Sequence, residues 1–265
     1  DGNSGSDGII VGKAIKSPTK VAFVFTGQGA QYNGMCNNLF QSSEIFRTTM
    51  IECDKYLKNC MKLPLIETLY ENEMENIAVM DDASFAQPAL FAVEYALSCF
   101  LSEHFGIEPI AVVGHSLGEF AALCVSGRLS VKEACHLVAA RGLAMSNLDS
   151  SGSMVAVWAS EIEVNQLLSD GKCNAIVAVV NGPNSVVVSG FLDDIEKALL
   201  IFENENIKAK RLRVTTGFHS KCVESALPEL KAAIEKVFHS NASNTNDLSC
   251  FPKFISTVTG TPISS

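Results

Sequence analysis

Short apolar runs alternate along this chain with longer stretches of helical period, and that alternation predicts an α/β protein. Val21-Ala-Phe-Val-Phe25 is continuously apolar, as a strand buried on both faces requires, and it ends in the glycine-rich turn Thr26-Gly-Gln-Gly-Ala-Gln31. Helical periodicity follows over about 40–60, and a polar stretch near 71–82 reads as a loop. Ser84 is placed to cap the helix through Ala89-Leu-Phe-Ala-Val-Glu-Tyr-Ala-Leu-Ser-Cys-Phe-Leu101, with Pro88 in its opening turn. A second buried strand, 110–113, runs through a turn into a helix over 117–126, and a further helix over about 131–146 carries Arg141.

The texture then changes. A strand over 154–158, a helix over about 161–169, strands at 175–180 and 185–189, a helix over about 193–205 and a strand at 207–214 give the order β-α-β-β-α-β, that of a ferredoxin-like unit. Asn181-Gly-Pro-Asn184 supplies the hairpin turn between its middle strands. The expected organisation is a linker at 1–19, a large α/β subdomain from 20–151 and 215–265, and a small ferredoxin-like subdomain at 152–214 inserted into it. Two such halves can form a cleft.

Gly114-His-Ser-Leu-Gly118 has the G-x-S-x-G spacing of a nucleophile elbow, which gives the large subdomain an α/β-hydrolase-like reading with a parallel sheet. Two glycines without Cβ atoms let strand and helix approach closely while Ser116 occupies a strained turn with its Oγ exposed. The helix that follows points its free N–H groups and positive dipole end at the place where an oxyanion would form. The spacing alone arises by chance in roughly one chain in ten of this length; the apolar run before it and the apolar-rich helix after it raise its weight.

Composition narrows the class. The chain has 265 residues, 47% hydrophobic, enough for a substantial core. A net charge of −9 argues against bulk nucleic-acid binding. The apolar stretches are short and interrupted, so no membrane span is expected, and the polar start shows no secretory signal; a cytoplasmic protein is expected. Nine cysteines stand at 36, 53, 60, 99, 124, 135, 173, 222 and 250 without one C-x-x-C pair, so reduced thiols are expected rather than a metal site or a disulfide framework.

A serine nucleophile needs a base. His115 adjoins Ser116, but the turn is expected to aim it into structural packing; His104, His136 and His239 sit in helix-like contexts. His219, in Thr215-Thr-Gly-Phe-His-Ser220, follows the last strand of the inserted unit, where the chain returns to the cleft. Base and satisfied surface histidine both remain open for it. Gln28 lies in a turn at a strand's carboxyl end, where α/β sheets bind ligands, yet an ordinary loop reads the same way. Arg141 stands in an apolar helix with Leu137, Val138, Ala144 and Met145 at helical spacing, so it either snorkels or meets a carboxylate from elsewhere, a substrate included.

These residues together resemble the malonyl-CoA:acyl-carrier-protein transacylases, in particular the acyltransferase domains of large fatty-acid and polyketide synthases. The matching motifs are Phe25-Thr-Gly-Gln-Gly-Ala-Gln31, Gln87-Pro-Ala-Leu-Phe91, Gly114-His-Ser-Leu-Gly-Glu119, Arg141, Val180-Asn-Gly-Pro183 and Gly217-Phe-His-Ser220, in one order from about residue 20 onward. The resemblance implies a ping-pong transfer. Ser116, activated by His219, takes the malonyl group from coenzyme A, and the phosphopantetheine thiol of an acyl carrier protein then receives it. It implies backbone N–H groups of Gln28 and Leu117 as the oxyanion hole and Arg141 as the clamp on the malonyl carboxylate. Gln87, Asn181 and Phe218 are carried over as substrate-binding, and Phe218 with Leu117 matches the malonyl-selective pattern. No permanent cofactor is implied; the partners are the carrier protein and neighbouring synthase domains. The family runs on past the position of Ser265, including a backbone carbonyl that orients the catalytic histidine, so a C-terminally incomplete, excised module is expected.

Lys208, Lys210, Arg211, Arg213 and Lys221 form a basic cluster near His219, which either faces the carrier and coenzyme phosphates or is a solvated strand edge. Two other classes stay in view. A serine thioesterase of α/β-hydrolase type predicts an acid between Ser116 and His219 (Asp149, Asp170, Asp193 and Asp194 are available) and an HGGG-like loop, which is missing. A non-catalytic docking module is opposed by the intact Ser116, His219 and Arg141.

Overall fold

The computed structural model describes residues 19–71, 77–148, 152–169, 173–212, 214, 216–239 and 248–263. Strand β1 (Val21–Phe25) leads to helices α1 (Asn37–Ser42), α2 (Glu44–Leu57), α3 (Ile77–Asp81) and α4 (Ala83–Phe105), then β2 (Pro109–Gly114), α5 (Gly118–Val125) and α6 (Val131–Ser146). The smaller unit follows as β3 (Gly152–Val157), α7 (Glu161–Leu168), β4 (Ile176–Gly182), β5 (Ser185–Phe191), α8 (Leu192–Asn204) and β6 (Ala209–Arg211). Helix α9 (Leu227–His239) and strand β7 (Lys253–Ile255) return to the first unit.

The expected fold class is the observed one: an all-parallel sheet in the order β1-β2-β7, and an antiparallel sheet in the order β4-β5-β3-β6. Phe46, Met50, Leu57, Phe91, Val112 and Leu117 fill the larger core. The smaller unit has its own core, in which Val155, Val157, Val186 and Val188 meet Ile195 and Phe202 of α8. The β-pleat turns the alternate residues, Met154 and Val187 among them, away from that core. These line the cleft instead.

Several boundaries differ from the sequence expectation. Asp82, not Ser84, caps α4; its side chain accepts the Ser84 N–H at 2.8 Å. Pro88 therefore falls inside the helix, past its opening turn, where its missing N–H leaves the Ser84 carbonyl without the usual i→i−4 donor. The stretch read as a loop near 71–82 contains helix α3, while 72–76 lie outside the described residues, as do 1–18 of the expected linker. The last strand of the small unit is shorter than 207–214, and Arg213 lies outside the described residues.

Helix α4 also overturns the expectation about apolar length. By length and composition it is apolar enough to cross a membrane. Yet about two thirds of its most apolar part is buried inside the protein, between α2 and α6. A helix apolar on nearly all sides is what a core position demands.

The elbow is a point of backbone-to-backbone contact. A Cβ on Gly114 would sit 2.1 Å from the Gly118 carbonyl, and one on Gly118 would sit 2.4 Å from the Thr26 carbonyl oxygen. Strand β2, helix α5 and the end of β1 thus close on one another with no room for a methyl group. Substituting Gly114→Ala is expected to destabilise the protein at or above the upper end of the ~1–3 kcal/mol seen for overpacking, read as a lowered denaturation midpoint. An unchanged midpoint would show that the contact is not tight.

Candidate active site

Ser116 sits between β2 and α5 with φ +53°, in the left-handed region that a side chain adopts only when neighbours enforce it. Three backbone bonds do so: His115 N–H to Phe25 carbonyl at 2.9 Å, Gly118 N–H to His115 carbonyl at 3.0 Å, and Glu119 N–H to Ser116 carbonyl at 3.2 Å. His219 is held the same way, with φ +58°. Its turn leans on the small sheet, because the Ser189 hydroxyl donates to the Phe218 carbonyl at 2.6 Å and Gly217 is wedged with its Cβ position 2.7 Å from the Gly190 oxygen. The elbow thus delivers one strained residue and the turn after β6, braced on the small sheet, the other, and the two meet: Ser116 Oγ lies 2.9 Å from His219 Nε2.

Arg141 reaches the same hydroxyl from α6. Its Nη2 donates to Ser116 Oγ at 3.3 Å and its Nη1 donates to Gln87 Oε1 at 2.6 Å. Gln87, wholly buried on α4, passes its own Nε2 to Gln28 Oε1 at 3.0 Å and to Met145 Sδ at 3.2 Å. Gly142 permits this approach, since a Cβ there would lie 2.5 Å from the Ala83 carbonyl oxygen at the start of α4. The result is a continuous polar chain, Gln28–Gln87–Arg141–Ser116–His219.

No carboxylate among the described residues pairs with Arg141. Burial pushes its pKa down to about 10, which leaves it charged at neutral pH. His219 is held below the ordinary imidazole value, first by partial burial and then by the charges of Arg141 and His115, with Glu119 opposing. Glu119 itself accepts from the Thr257 N–H at 2.9 Å and hydroxyl at 2.7 Å.

A cavity of about 110 Å³ joins these groups to apolar side chains, Met154, Val179, Val187 and Leu212, from the small unit and its exit. Asn181 and Phe218 also line it. It adjoins a larger cleft of about 720 Å³ that shares Gln28, Val214 and Phe218 with it and adds Met145 and Thr216. The backbone N–H groups of Gln28 and Leu117 donate to no described residue.

Of the eight residues singled out from sequence, six line the small cavity, Gln87 stands directly behind Arg141, and Leu117 follows Ser116 with its side chain in the core. His115 departs from expectation: its ring is exposed and lines the cavity beside Gly27 instead of packing away. His104 stacks on Phe100, and the His239 side chain lies outside the described residues. In the basic cluster, Lys208 lies 4.6 Å over the Trp158 ring and Arg211 pairs with Glu196. Sequence reasoning missed Glu94, Thr26 and the apolar cavity wall. Glu94 had a visible signal, as the single acid within the apolar stretch 83–101.

Comparison with known proteins places this geometry. Residues 22–253 match the family described as the acyl transferase domain. Polyketide synthase GfsA of Streptomyces halstedii is 40% identical over 220 residues, which is 82% of this chain and 3% of that protein. The acyltransferase domain from the second module of the salinomycin polyketide synthase superposes with a TM-score of 0.80 at 34% identity, covering 94% of this chain and 55% of that one. The malonyl CoA-acyl carrier protein transacylase of Clostridium perfringens superposes with a TM-score of 0.78 at 27% identity, covering 93% and 74%. The chain therefore spans about half of the solved synthase domain and a small part of the whole synthase. With its elbow, its two-unit fold and a match over most of its length, the chain belongs to the acyltransferase domain family.

Proposed function

We propose that the chain transfers a malonyl group from coenzyme A to the phosphopantetheine thiol of an acyl carrier protein, through an acyl ester on Ser116. The observation that carries this reading is a charged Arg141, without a described carboxylate partner, within 3.3 Å of a serine oxygen that also lies 2.9 Å from a histidine.

In the proposed reaction neutral His219 takes the Ser116 proton on Nε2 as Oγ attacks the thioester carbonyl. The N–H groups of Gln28 and Leu117 receive the developing oxyanion. Collapse breaks the C–S bond, and His219 returns the proton to the departing coenzyme thiolate. The carrier's thiol then gives its proton to His219 and attacks the ester carbonyl; collapse breaks the ester C–O bond, and His219 returns the proton to Ser116 Oγ. Arg141 holds the free malonyl carboxylate, with Gln87 fixing the guanidinium behind it. Asn181 and Phe218 complete the cavity, and the ring of Phe218 occupies space that an α-methyl group would need, a discrimination of only ~1–3 kcal/mol. Neighbouring synthase domains and an acidic carrier are the partners on this reading, with Lys208 and Lys210 as docking candidates, a cytoplasmic setting and no resident cofactor. The thioesterase reading has less support, because no described carboxylate hydrogen-bonds to His219.

Intact-protein mass measurement after brief exposure to malonyl-, methylmalonyl- and acetyl-CoA tests the reading. Wild type is expected to gain a malonyl adduct that Ser116→Ala lacks. Stranding Arg141 without a carboxylate costs ~3–5 kcal/mol, so Arg141→Ala is expected to erase a malonyl-over-acetyl preference of roughly 10²-fold to several thousandfold. No adduct on folded wild type, or undiminished malonyl preference in Arg141→Ala, would contradict it.

The pH dependence follows from the sign of the His219 shift. Its base form must be neutral, and its pKa is lowered, so the low-pH limb of the acylation rate should fall below the ordinary value of about 6.5. Arg141→Ala removes one of the positive neighbours and should move that limb upward, with burial still holding it below the ordinary value. A limb that does not move would show that Arg141 does not act on His219.

A further inference from the structure

We propose that Glu94 is a positioning residue for the oxyanion turn, gripping Thr26 while Gln87 grips Gln28, so that α4 fixes the turn at two points. The inference rests on the reading of the Gln28 N–H as an oxyanion donor.

The turn after β1 contains Gly27 and Gly29, the latter at φ +117°, and no backbone N–H from Thr26 to Gly29 donates to a described backbone carbonyl. Within the turn, Gln31 Oε1 accepts the Gly29 N–H at 2.6 Å while its Nε2 donates to the Met80 carbonyl at 3.1 Å, which ties down the far end of the turn but not Thr26 to Gln28. Side chains of α4 anchor those residues instead. Glu94 Oε1 accepts both the Thr26 N–H at 2.7 Å and the Thr26 hydroxyl at 2.6 Å, and Gln87 Nε2 donates to Gln28 Oε1 at 3.0 Å. Gln87 and Glu94 stand seven residues apart on α4, two helical turns, and so face the same way. Both are buried, at 0% and 7% exposure.

Glu94 is an expensive residue to keep there. Its second carboxyl oxygen is buried without a hydrogen bond, and no described cation pairs with it. Burial raises its pKa to about 7, against the opposing pull of the Thr26 bonds. Its only described hydrogen bonds go to the residue two places before Gln28. Protonation on the orphaned oxygen would leave Oε1 free to accept, so what the site requires is an acceptor at Oε1 rather than a charge. Glutamine supplies that acceptor in the same shape; methionine keeps the bulk and removes it.

The test uses Glu94→Gln, Glu94→Met and Thr26→Val, with two readouts on Ser116: the malonylation rate at saturating malonyl-CoA together with KM, and the rate of phosphonylation by a fluorophosphonate, whose oxygen uses the same oxyanion donors. Removing an oxyanion donor outright costs roughly 10²–10³ in rate. Misplacing one through Glu94→Met is therefore expected to cost about 10- to 100-fold in both rates, with KM within about twofold. Glu94→Gln should return both to within about threefold of wild type, and Thr26→Val should lose a smaller factor than Glu94→Met. Wild-type rates in Glu94→Met, or a loss in Glu94→Gln equal to that in Glu94→Met, would overturn the proposal. Should Glu94→Met not fold, Thr26→Val at wild-type rates would overturn it. If wild type takes no malonyl group but is phosphonylated, the transacylase reading fails, and the phosphonylation rates alone decide on Glu94.

Discussion

A 2.6 Å hydrogen bond from Arg141 to the buried amide of Gln87 is the interaction on which the rest of this site depends. It joins α6 to α4 where Gly142 lets the helices close, and it places a largely buried cation beside Ser116. A guanidinium in such a place needs its donors satisfied. Gln87 satisfies one, Ser116 Oγ takes another, and no described carboxylate neutralises the charge. The site thus holds a positive charge that no described carboxylate neutralises, and on the proposed reading that charge receives the malonyl carboxylate.

Two units of different construction meet at this charge. The parallel sheet and α5 force Ser116 into its left-handed conformation, and the antiparallel sheet, through Ser189 and Gly190, does the same for His219. Neither conformation is one that serine or histidine favours alone, at a cost of order 1–3 kcal/mol each. The hydroxyl-to-imidazole distance is therefore set by how the units seat on each other, and the apolar face of the small sheet closes the cavity over it. Arg141 acts on both members: it donates to the serine and helps keep the histidine neutral.

What the sequence made legible was local. The elbow could be read because its glycines, serine and flanking apolar runs lie within a few residues of one another, and the β-α-β-β-α-β order because each element carries its own period. The start of α4 was misplaced because Asp82 and Ser84 are both good caps, and only the fold decides between them. His115 was misjudged because the ring's direction depends on how Gly27 approaches it from β1. From residue patterns alone Arg141 remained undecided, since its contact with Gln87 spans fifty-four positions; the motif resemblance, not periodicity, brought Gln87 into view. Glu94 went unread for the same reason, its partner Thr26 lying sixty-eight positions away. The apolar cavity wall was invisible because its residues look like ordinary core strands until the fold lays them along the cavity at Ser116.

The account turns on Arg141 holding a carboxylate while the ester carbonyl faces the two backbone N–H groups. The most direct measurement is a crystal structure of the protein carrying a malonyl ester on Ser116. The account predicts the free carboxylate on both terminal nitrogens of Arg141, with the ester oxygen within hydrogen-bond distance of the Gln28 and Leu117 N–H groups. A carboxylate turned away from Arg141 into the larger cleft, or an ester oxygen directed away from both N–H groups, would contradict it.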